Sequence, residues 1–572
     1  MSNARKPRET VASWRYLLVL AAFACLPVVL LWRAVDLQLV NNEFLQLQGD
    51  SRHLRTMVIP AHRGMITDRH GKPLAISTPV DSIWAHPGNL LAADSRLAEL
   101  AGALEMESTG LRTRLERRAD REFVYLRRHI PPDAAARVLE LGVPGVSTQR
   151  EYRRYYPAGE VAGHLLGFTN VDDVGLEGLE LAYETWLRGR PGAKRVLRDR
   201  LGRIVSDVEQ IREPGPGRDL KLSIDRRLQY VAYRELKRAV QAHGARAGSL
   251  VLLDAANGEI LAMANQPSFN PNARQRTGTA ERRNRAVTDS FEPGSTIKPF
   301  TVAAALESGL FSRDSELDTR PGTMRVGNHT VRDLRDYGRI DVATIISKSS
   351  NVGAAQLALE LPDDAIWRLL GRLGMGRVTG AGFPGETGGS LAADPPRSAI
   401  ERATLSFGYG LASTPLQLTN AYAALANDGL LRPISFLRLD EAPEGERVMQ
   451  PATARAVRRM LEEAVAEGGT AQLAAVPGYR VAGKTGTTRK AVAGGYADDR
   501  HVTWFAGMAP ASNPRLVMAV MVDEPKGGLH YGGQVAAPVF SEVMSAALRL
   551  LNIAPDAEDS SRGLTAMGAQ TP

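Results

Sequence analysis

Two of the chain's lysines stand in patterns that can do chemistry. Lysine is scarce, 10 residues against 61 arginines, so such patterns are distinctive. In Phe291-Glu292-Pro293-Gly294-Ser295-Thr296-Ile297-Lys298-Pro299-Phe300 the Pro-Gly pair breaks the chain just before Ser295, and an apolar helical pattern begins just after it. Pro299 agrees with a helix start, because proline is harmless in a first turn, where its missing N–H would lack a partner anyway. Ser295 is therefore expected at a helix amino terminus, with Lys298 three residues on along the same face. A serine hydroxyl needs a base to become a nucleophile, and a desolvated lysine with a depressed pKa can be that base at neutral pH. This is the sole Ser-x-x-Lys in the chain. Ser349-Ser350-Asn351 follows 54 residues after Ser295, and Lys484-Thr485-Gly486-Thr487 a further 135 after Ser349. Lys484 is also the one lysine followed by Ser or Thr and then Gly. Each segment has a bland reading, Ser295 as a helix cap, Ser349 as a helix serine and Lys484 as a strand-edge charge. All three would have to coincide.

Holding these groups together takes a layered domain. Ser249–Asp254 reads as a buried strand, Asn257-Gly258 as a hairpin turn and Glu259–Ala264 as the returning strand. Long alanine-containing helical patterns cover 298–308, 341–360, 415–427 and 452–466, and strand signals recur near Tyr479, at Val502–Ala506 and at Arg515–Asp523. Asp219–Ile224 reads as a further strand, and Glu213-Pro214-Gly215-Pro216-Gly217 as a linker. The pattern predicts an α/β (α+β) protein whose C-terminal domain, residues 218–554, is an antiparallel sheet covered by helices. Before it, residues 41–217 read as an elongated mixed α/β module of short strands and turns. The small, polar tail, residues 555–572, reads as disordered.

The front of the chain sets the compartment. Tyr16–Trp32 is an apolar run of 17 residues bracketed by Arg15 and Arg33. As a helix it is roughly 25 Å long, and with snorkelling arginines it can just span a bilayer. A transmembrane anchor is expected over 16–40, with residues 1–15 as a cytoplasmic tail, because Arg5, Lys6, Arg8 and Arg15 outweigh Glu9 on that side. A signal peptidase site is a poor match after Trp32, so the anchor is expected to stay. The net charge of +8 does not point to nucleic acid, since the basic residues are scattered among acids; Arg112–Arg128 also holds Glu116, Asp120 and Glu122. The lone Cys25 lies within the anchor and excludes an intramolecular disulfide or a cysteine-based zinc site. The ten histidines form no His-Glu-x-x-His, so neither a metal nor a cofactor is expected.

Ser-x-x-Lys, Ser-x-Asn and Lys-Thr-Gly in this order are the motif set of penicillin-binding proteins and class A β-lactamases, and the chain resembles the former over nearly its whole length after the anchor. Further segments resemble the pedestal of class B members: Arg63-Gly64-Met65-Ile66-Thr67-Asp68-Arg69-His70-Gly71, Arg153-Arg154-Tyr155-Tyr156-Pro157, His164-Leu165-Leu166-Gly167 and Gly175-Leu176-Glu177-Gly178-Leu179-Glu180. Gly408-Tyr409-Gly410, Thr414-Pro415-Leu416-Gln417, Asp523-Glu524-Pro525 and Tyr531-Gly532-Gly533 resemble the division-type, FtsI-like branch. No glycosyltransferase signature of the bifunctional class A precedes residue 215. The resemblance implies a serine D,D-transpeptidase, related to the carboxypeptidase hydrolases, that crosslinks peptidoglycan stem peptides in septal wall synthesis and is a target of β-lactams. It implies Ser295 as nucleophile, Lys298 as base, Ser349 as proton relay and Asn351 as the group holding Lys298 and the substrate amide. Lys484 would keep the site electropositive, and Thr485, Gly486 and Thr487 would form the substrate-binding strand. Backbone N–H groups of Ser295 and Thr487 would form the oxyanion hole. A polytopic FtsW-like glycosyltransferase and other divisome membrane proteins are the implied partners, in the inner membrane, with the catalytic domain in the periplasm. An elongation-type or condition-specific paralogue, a non-catalytic scaffold or β-lactam sensor, and a β-lactamase are the alternatives. The last lacks support, since no Glu-x-x-Leu-Asn loop lies between the second and third motifs.

Overall fold

The computed structural model describes residues 13–40, 54–198, 204–276 and 278–557. Most of the expected cytoplasmic tail and most of the C-terminal tail lie outside these residues. Helix α1 (Ser13–Val35) carries the apolar run and continues into a π turn at Asp36–Val40. A span of 25 residues, Trp14–Gln38, is long and apolar enough to cross a membrane, and its most apolar stretch buries nothing. Its apolar surface therefore asks for lipid rather than a protein core.

The chain divides into two compact units. The first takes in the described residues before His62, Pro79–Tyr152 and Arg190–Gly215. Here β1 (Leu54–Ile59) pairs antiparallel with β4 (Gly192–Arg198), which pairs with β5 (Ile204–Arg212). The C-terminal half of β2 (Pro73–Ala85) pairs antiparallel with β3 (Val124–Ile130), and short helices cover it through Ile83, Leu90, Leu100, Leu111, Leu115 and Leu126.

The second unit holds His62–Thr78, Arg153–Gly189 and the described residues from Pro216 on. Its centre is a five-stranded antiparallel sheet, with β6 (Ala247–Asp254), β7 (Ile260–Gln266), β8 (Ala482–Val492), β9 (Gly495–Ala509) and β10 (Leu516–Asp523) in the order β7-β6-β10-β9-β8. Every residue of β6 and β10 is buried, because both faces of the sheet are covered. Leu250 and Leu252 pack on one face with α2 (Arg226–Ala242) and the C-terminal helix Gly532–Leu550. Val251 and Leu253 pack on the other with α3 (Lys298–Glu307), α4 (Val342–Ser347), α5 (Asn351–Glu360) and α6 (Pro415–Ala426). The expected helix-covered antiparallel sheet is thus a three-layer sandwich. Local signals agree with these elements: Asp225 caps α2 by accepting from Arg227 N–H, and Thr414 with Gln417 forms a capping box on α6.

Two local expectations are corrected. The helical pattern over 341–360 is two helices, α4 and α5, broken at 348–350. Asp219–Ile224 is mostly not strand; Leu220–Lys221 pairs in parallel with Ile66–Thr67, and Leu222 forms a single antiparallel bridge to Leu437. The Pro-Gly stretch at 213–217, expected as a linker, carries the boundary between the two units at Gly215 and Pro216, and its glycines are held in place. Gly215 and Arg190 exchange N–H···O bonds of 2.9 and 2.7 Å, and a Cβ on Gly217 would lie 1.8 Å from Leu187 O. Glycine is needed there for a close approach of two backbones.

Candidate active site

Ser295 lies in a 3₁₀ turn, Gly294–Ile297, that runs directly into α3, and Lys298 N–H donates to Ser295 O. The tighter 3₁₀ winding eclipses residues three apart, which brings Ser295 and Lys298 into line more closely than an α-helix would. Gly294 has φ +56°, and a Cβ there would lie 2.6 Å from Thr488 Cγ2. The Pro-Gly pair therefore both turns the chain and lets strand β8 approach. The Ser295 hydroxyl is half-buried and makes no hydrogen bond among the described residues.

The break between α4 and α5 builds the second motif. Ser349 N–H donates to Ile346 O and Ser350 N–H to Ile345 O, at 3.3 and 3.1 Å, with Ser349 at φ +60°. This is the Schellman ending of a helix, in which the left-handed position is ordinarily glycine. A serine held there stores about 1 kcal/mol of backbone strain. The turn aims Ser349 O at Lys298 Nζ, 2.5 Å away, while Ser349 Oγ lies 3.1 Å and Asn351 Oδ1 2.7 Å from the same nitrogen. Ser350 points elsewhere and caps α5 through Gly353 N–H.

Lys298 and Lys484 are both fully buried. Burial drives the Lys298 pKa far below its ordinary value, the neighbouring Lys484 ammonium pushes it further down, and Asp333 opposes them. Burial alone pushes Lys484 down to about 7. A neutral Lys298 has two N–H donors and one lone pair. Ser349 O and Asn351 Oδ1 can only accept, since Asn351 Nδ2 donates to Arg332 O at 2.9 Å. They take both protons, and the lone pair is left for a hydroxyl.

The third motif lies on β8, paired with β9 as Lys484↔Ala506, Thr485↔Phe505 and Thr487↔Thr503. Gly486 is required by contact: a Cβ would lie 2.5 Å from Pro293 O, so this strand abuts the turn that carries the nucleophile. Thr485 Oγ1 is 3.4 Å from both Lys484 Nζ and Thr470 Oγ1. Thr487 Oγ1 accepts from Gly532 N–H at 2.9 Å, at the start of the C-terminal helix. Of the expected site residues, the structure joins Lys298, Ser349 and Asn351 by direct hydrogen bonds and sets Ser295 and Gly486 on touching segments. The other Ser-x-Asn is structural: Phe269 is core, and Ser268 Oγ donates to Glu160 O.

Two residues escaped the sequence reading. Asp333 accepts from Ser350 Oγ at 2.6 Å, from Val352 N–H at 3.0 Å and from Asn351 N–H, so it fixes the start of α5 and with it the Asn351 amide. Glu292 accepts at Oε1 from Gly410 N–H at 3.0 Å and Tyr496 O–H at 2.9 Å, while its Oε2 is buried without a hydrogen-bond partner. The segments quoted from the front half also converge. Glu180, fully buried, lies between Arg63 Nε at 2.8 Å and Arg154 Nε at 2.6 Å, with Glu184 2.6 Å from Arg63 Nη1.

Comparison with known proteins identifies the family. The sequence model of the penicillin binding protein transpeptidase domain matches residues 248–545, and that of the penicillin-binding protein dimerisation domain residues 58–222. The chain is 42% identical over 550 residues to the peptidoglycan D,D-transpeptidase FtsI of Escherichia coli K12, covering 95% of this chain and 93% of that one. It is 43% identical over 574 residues to the probable peptidoglycan D,D-transpeptidase PenA of Neisseria gonorrhoeae, covering 100% and 97%. Among solved structures, penicillin binding protein 3 of Mycobacterium tuberculosis in complex with aztreonam superposes with a TM-score of 0.68 at 29% identity, over 88% of this chain and 98% of that one. With the second motif hydrogen-bonded to the lysine of the first, the third on a strand against the nucleophile's turn, and both matching segments in the order of the family, the chain belongs to the class B penicillin-binding proteins.

Proposed function

We propose that this protein is a division-type peptidoglycan D,D-transpeptidase working through an acyl-enzyme on Ser295. The observation that carries the reading is the buried Lys298 amine, its protons taken by Ser349 O and Asn351 Oδ1. Ser295 Oγ attacks the carbonyl of a terminal D-Ala-D-Ala bond as its proton passes to Lys298. Ser349 Oγ, 3.1 Å from that nitrogen, hands the proton to the departing D-alanine amine. Asn351 holds Lys298 and, with its second amide proton, the substrate amide. Thr485 and Thr487 receive the terminal carboxylate in the field of Lys484, with Gly486 allowing the strand to approach. N–H groups of Ser295 and Thr487 stabilise the oxyanion, a contribution of about 3 to 4 kcal/mol in comparable sites. An acceptor amine then takes the acyl group; attack by water instead would be the carboxypeptidase reaction. β-Lactams enter by the same first step.

In this reading residues 16–40 anchor the chain in the inner membrane with the amino terminus cytoplasmic, 41–217 serve as pedestal and 218–554 carry the chemistry outside. The excess of Arg and Lys before Tyr16 supports that orientation. The partner it suits is an FtsW-like glycosyltransferase, which would supply the uncrosslinked glycan. The test is penicillin labelling with depletion in the cell: a persistent adduct on Ser295 and filamentous cells are expected. Round cells would indicate an elongation enzyme, no change in shape a redundant paralogue, and rapid loss of the adduct a β-lactamase.

A further inference from the structure

Lys348 stands at the end of α4, one residue before Ser349, and belongs to none of the three motifs. A lysine at a helix end ordinarily turns back onto the last carbonyls of its own helix. Lys348 turns away instead, and its half-buried side chain reaches the loop 466–471, where Nζ donates to Gly468 O at 2.6 Å. Tyr337 O–H donates to Lys348 O at 3.2 Å, so the residue is held at its backbone as well as at its side chain. The loop that receives it follows the helix Pro451–Val465 and is closed by its own backbone, with Ala471 N–H donating to Ala464 O at 2.9 Å and Gly469 N–H to Ala466 O at 3.0 Å. The far end of this loop touches the third motif. Thr470 Oγ1 lies 3.4 Å from Thr485 Oγ1, and a Cβ on Gly533 would lie 2.5 Å from Thr470 O.

We propose that Lys348 is a positioning residue for acyl transfer: its ammonium ties the strained Ser349 turn to the loop that backs Thr485, and so keeps Ser349 Oγ and Asn351 in place against Lys298. The proposal rests on the reading of Ser295 as the acylated residue. A serine at φ +60° relaxes unless its surroundings prevent it. Lys298 supplies one hold, through Ser349 O and Asn351 Oδ1. Lys298 also changes charge as it takes a proton and gives it back, and the strength of that hold changes with it. A second hold outside the proton path keeps the turn in place through both states, and the charge-assisted bond from Lys348 to Gly468 O is strong enough to do so. The charges that act on the Lys298 pKa are those of Lys484 and Asp333, so Lys348 works through position rather than through its field. Because the same loop touches Thr485, the placement of the proton relay and of the substrate-binding strand is shared.

The test mixes the full-length protein in detergent micelles with a fluorescent penicillin over a range of concentrations, which separates the noncovalent dissociation constant from the acylation rate constant. Lys348→Met keeps the length of the side chain and removes the ammonium. Its acylation rate constant should fall about tenfold, the effect of reacting groups held loosely, while the dissociation constant stays within about twofold of wild type. Lys348→Arg keeps a charged donor for Gly468 O and should recover most of the rate. In a Ser349→Gly background the relay hydroxyl is already gone, so Lys348→Met should there cost less than about threefold, because the two residues act as one unit. An unchanged rate constant in Lys348→Met, the full loss in both backgrounds, or an arginine variant as slow as the methionine one would overturn the proposal. A methionine variant that no longer folds would overturn it too, since the bond would then serve stability. If wild-type protein formed no adduct on Ser295 at all, the reading of function would fail first and the role of Lys348 with it.

Discussion

Ser349 makes two demands on one residue, and replacing it by glycine or by alanine separates them. Its backbone is in the left-handed region at φ +60°, where glycine is the unstrained choice, and its hydroxyl lies 3.1 Å from Lys298 Nζ. Ser349→Gly removes the hydroxyl and relaxes the turn, leaving Ser349 O free to go on holding Lys298. Ser349→Ala removes the same hydroxyl and keeps the strain. Both lose one hydrogen bond, about 1 kcal/mol. Only glycine regains the left-handed cost, again about 1 kcal/mol, so the glycine variant should be the more stable of the two by that amount. In a domain of this size that is about 2 °C in melting temperature, measurable by differential scanning fluorimetry of the two variants side by side. Acylation by a fluorescent penicillin should fall roughly a hundredfold or more in both alike, the contribution of one proton relay. An alanine variant as stable as the glycine variant would refute the strain argument. Near wild-type acylation in either would refute the relay.

Three further outcomes follow from other parts of the molecule. Asp333→Ala leaves two backbone N–H groups and the Ser350 hydroxyl without their acceptor, and should destabilise the protein by about 2 to 4 kcal/mol in denaturant unfolding, with Asp333→Asn intermediate. Burial raises the Asp173 carboxyl to about 6 from 3.8, so the folded protein binds more protons than the unfolded chain between those values. Stability should therefore fall as pH rises from 4 to 6, and Asp173→Asn should flatten that slope and gain about 2 kcal/mol at pH 7. Glu180→Ala leaves the buried Arg154 guanidinium without its carboxylate and Arg63 with Glu184 alone, and should cost about 3 to 5 kcal/mol, seen as loss of the folded protein on heating.

Much of this site was legible in the chain because lysine is rare. With ten lysines, the pairing of Lys298 with a serine three residues before it and of Lys484 with Thr485-Gly486 stood out without any structural knowledge. The Pro-Gly turn before Ser295 was legible for the same kind of reason, since both residues restrict or free the backbone in known ways. The continuous strand Ser249–Asp254 announced a sheet covered on both faces. What failed was the helix over 341–360. Its alanine-rich pattern runs straight through Lys348-Ser349-Ser350, and nothing local marks a left-handed turn where serine stands in place of glycine. The turn persists because Lys298, about 50 residues earlier, holds Ser349 O and Asn351 Oδ1 from outside the helix. Asp333 was invisible for a related reason. Arg332-Asp333-Leu334-Arg335-Asp336 reads as a solvated loop, and only the hairpin formed by Thr323–Val326 and His329–Arg332 brings its carboxylate to the start of α5. The burial that depresses both lysines is likewise a tertiary property.

The central claim is that Ser295 carries the acyl group of a stem peptide. Full-length protein mixed with a pentapeptide ending in D-Ala-D-Ala and quenched in acid should yield one modified peptide on mass spectrometric mapping. Ser295 should bear the donor less its terminal D-alanine, and adding an amine acceptor should discharge it as a new amide. An adduct on any other residue, or crosslinked product formed equally well by Ser295→Ala protein, would contradict the account.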